Sequence, residues 1–247
     1  MKPLGVWFSL TLSVCWFIAL LAVLLILTGY QKIRYLSIQE EIFLIVGIFT
    51  SYFDFLTYPV VTLGVPLCVW LICESADQTE PGEKGLARMG GYIGMWAMKW
   101  VLSELLYRTG TLRNAVWSVI YRTTPLDGYH SSISGIPRTW RAILDQYDSP
   151  VYSIVFWIIA AAAILSVILC IAAARNAKWA MTVIFLGATA LFPFGWFVLT
   201  QNHTAIHCTY TFRIMGVSIM ALCGITVVSV KNFAGSMKEK PERDTTV

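Results

Sequence analysis

The feature that most constrains the fold of this chain is a series of long apolar runs separated by short polar joints. Of its 247 residues, 57% are hydrophobic and only 13% are charged, whereas a soluble domain carries about 25% charged residues. A helix that crosses a bilayer needs about 20 mostly apolar residues in a row. The sequence therefore predicts an all-α fold, a polytopic membrane helix bundle with about six transmembrane helices plus short interfacial helices.

The apolar runs and the polar residues beside them set the expected helix bounds. Transmembrane helices are predicted over residues 5–28, 55–73, 86–107, 151–174, 179–199 and 212–230. A shorter interfacial or re-entrant helix is predicted over residues 42–53, and the capping-box spacing of residues 37–40 puts a helix start near Ile38. Residues 74–88 are expected to form a polar loop, and Pro59 suits the first turn of the helix that follows Asp54.

The loop over residues 108–150 is long enough to indicate a function of its own, because connections beyond about 15 residues are uncommon. It contains two amphipathic pieces, residues 112–121 and residues 137–147, in which apolar side chains recur three to four positions apart. We expect both pieces to be short helices lying along the membrane surface.

Six spans place both chain ends on one side of the membrane, which we take as the cytoplasmic side of a plasma membrane. Residues 1–230 then form one transmembrane domain with an outer loop over residues 108–150, and residues 231–247 form a charged, disordered cytoplasmic tail. Lysine follows the positive-inside rule and arginine does not. The outer arginines would be Arg34, Arg108, Arg113, Arg122, Arg138, Arg141 and Arg213. Since arginine binds phosphate with two donors at once, this side could hold a lipid phosphate; a solvated loop that uses arginine is the alternative.

Residues 201–213 place polar and ionisable groups directly after one apolar run and before the next. His203 and His207 are four positions apart, so a helix would put both rings on one face, and Arg213 follows six positions later. Ionisable groups at a membrane boundary are costly unless they are paired or functional. In the predicted topology they share the outer face with Asp54 and Arg122. We expect Asp54, His203, His207 and Arg213 to line one cavity, with Lys99 at its floor.

Three blocks of the sequence resemble blocks of large bacterial membrane proteins of the glycosyltransferase-C type. They are FTSYFDFLTYP at residues 49–59 with its continuation to residue 67, GYIGMWAMKW at residues 91–100, and Trp196 followed by NHTAIH at residues 202–207 and then Arg213. The blocks occur in the expected order and span most of the chain. Enzymes of this type have more spans and an acidic residue or pair in the first outer loop, where this chain offers Glu40, Glu41 and Asp54. The chain therefore looks like the C-terminal portion of a larger family member.

The resemblance implies a membrane glycosyltransferase, or a half or remnant of one, that binds a polyprenyl-phosphate-linked sugar at the outer face for cell-surface glycan modification. Asp54 is the implied acid/base residue, and the substrate-binding candidates are His203, His207, Arg213, Arg122, Lys99, Glu104 and Asn202. The implied partners are membrane lipid, the polyprenyl-phosphate sugar and a membrane protein that supplies the missing helices. The charge balance of +4 implies no nucleic acid, and no cofactor is expected.

Each candidate residue also has a plainer interpretation. Asp54 could cap the helix that follows it. His203 and His207 could bind a divalent metal with Asp54, or form a structural pair at the interface. Arg213 could reach towards lipid headgroups. Glu104 has the spacing to pair with Arg108, and Lys99 needs an anion or a water-filled cavity.

Two rival functions remain open from the sequence. Lys99 and Glu104 within a span, with Gly64, Pro66 and Pro193 in helices, are also typical of a transporter or lipid-handling protein without chemistry. A non-catalytic accessory subunit of a polysaccharide-assembly complex is the third hypothesis.

Overall fold

The computed structural model describes residues 10–32, 38–53, 59–76, 82–108, 110–123, 144–145, 150–173, 177–207 and 211–238. Over these ranges the chain is all-helical, which confirms the predicted class. The α-helices are α1 (Leu10–Lys32), α2 (Ile38–Phe53), α3 (Pro59–Ala76), α4 (Gly82–Tyr107), α5 (Thr111–Thr123), α6 (Pro150–Ala173), α7 (Ala177–Leu199), α8 (Gln201–Ile206) and α9 (Met215–Lys238), with a 3-10 turn at Phe212–Ile214 before α9.

Most helix bounds lie close to the predicted ones, and the differences have physical causes. α2 begins at Ile38, as the capping-box spacing indicates, and it packs into the bundle through Phe43 and its neighbours. α3 begins at Pro59, four residues later than predicted, because proline suits the first helical position. α9 continues eight residues past the predicted end at residue 230, and Asn232 Nδ2 donates to the carbonyl of Val228 in this added part.

The predicted polar loop over residues 74–88 is wrong at both of its ends. Glu74 belongs to α3 and Arg88 to α4, and both side chains are buried. The Arg88 guanidinium lies 4.2 Å from the ring centroid of Trp70, and Trp70 Nε1 donates to Glu74 Oε1 at 3.2 Å. Because the aromatic ring joins the two opposite charges, both helices extend into what the polar composition alone marked as a loop.

The core of the bundle forms around α3, which packs against α1, α7 and α9, while α2 packs on α4 and α6 packs on α9. α2 runs parallel to α4, and α3 runs parallel to α9. α4 runs antiparallel to α3, and α7 runs antiparallel to α9. For α2 and α4 the contacts are Gly47–Tyr92 and Ser51–Lys99, and for α3 and α9 they are Gly64–Val217 and Ile72–Gly224. For α3 and α4 they are Pro59–Tyr92 and Trp70–Arg88. For α7 and α9 they are Ala190–Ser218 and Leu186–Gly224. The last turns of α2, α4 and α7 therefore lie at the same end of the bundle as the first turns of α3 and α9.

Polar and apolar side chains are distributed as in a membrane protein. Small hydroxyl side chains such as Thr62, Thr182 and Ser218 are buried, and the hydroxyls of Thr62 and Ser218 form hydrogen bonds inside the bundle. Large apolar side chains point outwards from α1 and α6, among them Phe17, Leu21, Leu24, Ile154, Trp157 and Ile168. A soluble surface rarely exposes so much continuous apolar area.

Two helices in the described part of the chain are long and apolar enough to cross a bilayer, at Ala180–Leu199 and Phe212–Ala234. Shorter apolar helices occur at Val14–Gly29, Glu41–Phe53, Pro59–Ser75 and Phe156–Ser166. Length and composition thus indicate membrane association, and the six-span topology stays a prediction. α4 carries Arg88, Lys99 and Glu104, which explains why it is not among these apolar helices.

The loop predicted over residues 108–150 begins with a helix, as expected, since α5 includes the whole first amphipathic piece. Its partly buried side chains are Thr111, Ala115, Arg122 and Thr123, and its large apolar side chains are all exposed, namely Leu112, Val116, Trp117, Val119, Ile120 and Tyr121. α5 thus contacts the bundle along a narrow strip, and its exposed surface carries six large apolar side chains together with Arg113, Asn114 and Ser118. Of the second piece, only residues 144–145 lie within the described residues, and both are helical.

Candidate functional site

The C-terminal turn of α5 docks onto the short helix α8 through two side-chain amides of α8. Gln201 Nε2 donates to the carbonyl of Thr123 at 2.7 Å, and Asn202 Nδ2 donates to the carbonyl of Tyr121 at 2.9 Å. The last carbonyls of a helix have no partner within that helix. Here two of them are satisfied by buried amides more than seventy residues away in sequence, so the docking is specific in position and in direction.

α8 continues the path of α7 across a bend at Thr200. The backbone N–H of Thr200 bonds to the carbonyl of Trp196, and that of Thr204 bonds to the carbonyl of Thr200, both at 2.8 Å. The Thr200 hydroxyl also donates to the Trp196 carbonyl. Because hydrogen bonding carries across the bend, α8 is held against the end of the bundle rather than left as a free loop.

His203 and His207 lie together, as their spacing predicts. Their ring centroids are 4.9 Å apart and the rings are tilted by 53°. His203 is partly buried and His207 is exposed. The carbonyl of His207 accepts from both the backbone N–H and the hydroxyl of Thr211, at 3.0 and 2.7 Å, which ties α8 to the start of the following turn.

Arg122 lies on the side of α5 that faces α8, and its charge acts on His203. Burial of the ring, together with the positive charges of Arg122 and His207, lowers the pKa of His203 from 6.5 to about 4. His203 is therefore a neutral imidazole near pH 7, beside a permanent cation.

We expect the docking of α5 on α8 to weaken on acidification. His203 binds its proton less readily in the folded chain than in an unfolded one, so its contribution to stability is complete above pH 6.5 and is lost as the pH falls towards about 4. Hydrogen exchange of α5 and α8 amides, corrected for intrinsic rates, should rise across this range. His203→Phe should flatten the profile, and an unchanged profile in that variant would assign the effect to another group.

Arg213 lies in the 3-10 turn at the start of the last span and is partly buried. Residues 208–210, which separate it from His207, lie outside the described residues. The recorded contacts thus bring Arg122 and both histidines together and place Arg213 at the same end of the bundle. Its presence in the same cavity stays a prediction.

Lys99 and Glu104 each bind the end of a helix. Lys99 Nζ donates to the carbonyl of Ser51 at 2.7 Å, in the last turn of α2, and lies over the rings of Tyr52 and Trp100 at 5.1 and 5.3 Å. Glu104 Oε2 accepts from the backbone N–H of Leu112 at 3.2 Å, at the start of α5. A cation at a helix C-terminus and an anion at an N-terminus both match the helix dipole.

Glu104 therefore helps to position α5. The pairing of Glu104 with Arg108 suggested by their spacing takes a different form, since the Arg108 backbone N–H bonds to the Glu104 carbonyl at 2.9 Å. Arg108 has a φ of 49° and Gly110 a φ of 71°, which together reverse the chain between α4 and α5.

Asp54, the catalytic candidate, lies outside the described residues, as do His130, Arg138 and Arg141. α2 ends at Phe53 and α3 begins at Pro59. The catalytic and the capping interpretations of Asp54 therefore both stay predictions. Among the described residues no three His, Cys, Asp or Glu side chains are grouped as metal ligands.

The sequence interpretation missed Gln201 as the residue that fixes α5, and it gave Trp196 no role in the site. The available signal was a pair of amides, Gln201 and Asn202, directly after an apolar helix, where side chains commonly bond to backbone ends. Their partners in α5 could not be read from sequence spacing.

Comparison with known proteins gives no assignment: no family model, curated protein or solved structure matches the chain. The chemistry of the α5–α8 junction therefore rests on the geometry described above.

Proposed function

We propose that this chain is a multi-pass membrane protein of the glycosyltransferase-C type that binds a polyprenyl-phosphate-linked sugar where α5 docks onto α8. The observation that carries the proposal is the docking of α5 on α8 by Gln201 and Asn202, which bind the Thr123 and Tyr121 carbonyls on either side of Arg122. Large apolar side chains of α5 are exposed beside it. A lipid phosphate in the headgroup layer would meet the arginine while its chain remained in the hydrocarbon.

The proposed reaction is the transfer of the sugar from the lipid phosphate to an acceptor hydroxyl. The hydroxyl oxygen of an acceptor attacks the anomeric carbon of the sugar, the bond from that carbon to the phosphate oxygen breaks, and the polyprenyl phosphate leaves with the bonding electrons. Asp54 takes the proton of the acceptor hydroxyl. Arg122 stabilises the negative charge that develops on the leaving phosphate, assisted by His203, His207 and Arg213.

The proposal places α5 and α8 at the outer face. Six spans with both chain ends cytoplasmic do not fit this arrangement, because α1 begins at the α5–α8 end of the bundle and α9 ends at the other. Trp16 of α1 lies against Gly216 at the start of α9, and Cys15 packs with Val60 at the start of α3. Ser132→Cys and Ser236→Cys in a background that lacks the native cysteines provide the test. We expect an impermeant maleimide added to intact cells to label the first and not the second. The reverse pattern would place α5 and α8 on the cytoplasmic side and contradict an outer-face donor site.

Phosphate binding is tested by Arg122→Ala in the full chain, reconstituted in nanodiscs. We expect the affinity for a polyprenyl-phosphate-linked hexose to fall about tenfold or more, since charge-assisted hydrogen bonds contribute about 1.5–3 kcal/mol. Arg113→Ala is the matched control, because Arg113 lies on the same helix with its side chain exposed. If both variants lost the same affinity for the lipid, the loss would come from the general positive charge of the surface and not from a phosphate contact of Arg122.

The helix breaks expected of a transporter are not found in α3 and α7. α3 and α7 each continue through a buried proline, Pro66 and Pro193 respectively. Discontinuous helices at mid-membrane are typical of binding sites in secondary transporters, and neither of these helices is interrupted. The effect of an Asp54 substitution on sugar transfer distinguishes an enzyme from a lipid-binding protein that catalyses no reaction.

A further inference from the structure

Three polar side-chain atoms on the path from α7 into α8 are buried and have no hydrogen-bond partner among the residues that the structure describes. They are Trp196 Nε1, Asn202 Oδ1 and His203 Nε2. Asn202 as a whole is only 3% exposed. Buried polar atoms are nearly always paired, and an unpaired one carries the full cost of its desolvation. Three within eight consecutive positions therefore require an explanation.

The orientation of the Asn202 amide is fixed by the protein. Its Nδ2 donates to the Tyr121 carbonyl at 2.9 Å, and a carbonyl cannot accept from an amide oxygen, so the two ends cannot be exchanged. The free atom is therefore an acceptor, and a phosphate, which offers only acceptors when ionised, cannot satisfy it. The Asn202 oxygen needs a donor from its ligand.

The other two atoms extend the same requirement. The Trp196 indole can only donate, and the neutral imidazole of His203 can donate or accept at Nε2 according to its tautomer. A hydroxyl group is the common ligand group that both donates and accepts. Trp196 and His203 are seven residues apart along a nearly continuous helical path, about 10 Å at 1.5 Å per residue. That separation suits a group with several hydroxyls.

We infer that Trp196, Asn202 and His203 form a subsite for the hydroxyl groups of the sugar that is esterified to the lipid phosphate. This inference rests on the proposed function and divides its site into two parts. Arg122 binds the charged phosphate, and the three partly or fully buried polar groups recognise the hydroxylated part of the donor. The site would then distinguish a loaded carrier from the bare polyprenyl phosphate that remains after transfer.

Trp196→Phe and His203→Phe test the subsite, because each keeps an aromatic ring and removes its nitrogen. The full chain in nanodiscs is titrated with polyprenyl-phosphate-hexose and with polyprenyl phosphate. We expect the wild type to prefer the hexose-bearing lipid and each variant to bind that lipid about tenfold more weakly, as for one lost hydrogen bond in a buried site. Affinity of Trp196→Phe for bare polyprenyl phosphate should stay unchanged, and His203→Phe should lose more affinity for the hexose-bearing lipid than for the bare one.

Stability in the absence of lipid gives a second measurement. Because the Trp196 Nε1 and His203 Nε2 atoms bond to none of the described residues, both variants should melt at or above the temperature of the wild type near pH 7. Trp117→Phe is the control for the indole change, since Trp117 is 62% exposed on the outer side of α5. It should leave both affinities unchanged.

The outcomes separate the inference from the proposed function. Variants that lose affinity equally for both lipids would show that these atoms serve the phosphate, and variants that keep the hexose preference would show that they hold only water. Either result overturns the hydroxyl subsite while the phosphate site stands. A wild type that binds neither lipid overturns both.

Discussion

Gly47→Ala is expected to destabilise the chain more than any other single methyl addition in the α2–α4 pair. A Cβ atom at position 47 would lie 2.5 Å from the backbone carbonyl oxygen of Tyr92, and the carbon of that carbonyl would be 3.2 Å away. Neither helix backbone can move aside without disturbing the core that surrounds Phe43. Overpacking of this kind costs about 1–3 kcal/mol, and a backbone contact belongs near the upper limit.

Thermal unfolding in detergent micelles measures the effect, and Gly94→Ala is the matched control. Gly94 lies on α4 with nothing within 4 Å of the added methyl group. Removing a helical glycine there should be neutral or stabilise the chain by up to about 1 kcal/mol. Gly64→Ala should fall between the two, because its Cβ would meet a side chain, that of Val217 at 2.5 Å. If Gly47→Ala and Gly94→Ala melted alike, the close approach of α2 to α4 would be contradicted.

The close approach also explains why small residues occur where they do in these apolar helices. In a lipid environment helices gain little from burying apolar surface against each other, so they associate through close packing and internal hydrogen bonds. Gly47 allows α2 to reach α4, and the Tyr92 hydroxyl lies 2.7 Å from that of Thr62 and donates to the Pro59 carbonyl at 3.1 Å. These bonds hold α3, α4 and, through Gly47, α2 in one unit.

The existence and type of the helices could be predicted from apolar runs, because a run of twenty apolar residues has few alternatives to a buried or lipid-facing helix. The ends were harder to predict. Glu74 and Arg88 marked a loop by composition, yet Trp70 brings both into the core. Contacts with a distant side chain can outweigh local polarity, and sequence spacing does not reveal them.

The candidate site was predicted in part for the same reason. The four-residue spacing of His203 and His207 is a local signal, and their rings are together in the structure. The approach of Arg122 depends on amides of α8 binding carbonyls of α5, which is a tertiary event. Lys99 and Glu104 bind backbone atoms at other helix ends. Their charges were visible in the sequence, but their partners were backbone groups that every residue carries.

The catalytic assignment of Asp54 leads to the largest expected effect on activity. Asp54 lies outside the described residues, between Phe53 of α2 and Pro59 of α3. Lys99 lies at the Ser51 carbonyl, three residues earlier in the chain, and supplies positive charge to the end of α2.

Asp54→Asn is the sharpest test because it keeps the size and the hydrogen-bonding capacity of the side chain while removing the base. Transfer of the sugar should fall by about 10²-fold or more, the usual contribution of a general base, while binding of the polyprenyl-phosphate-hexose and the melting temperature stay near those of the wild type. Arg122→Ala, by contrast, should weaken binding itself. If Asp54→Asn transferred sugar at the wild-type rate, the base would lie elsewhere. If the wild type bound the lipid and transferred nothing even when supplied with acceptors, the lipid-handling or accessory function would be the better account, with the α5–α8 junction as its binding site.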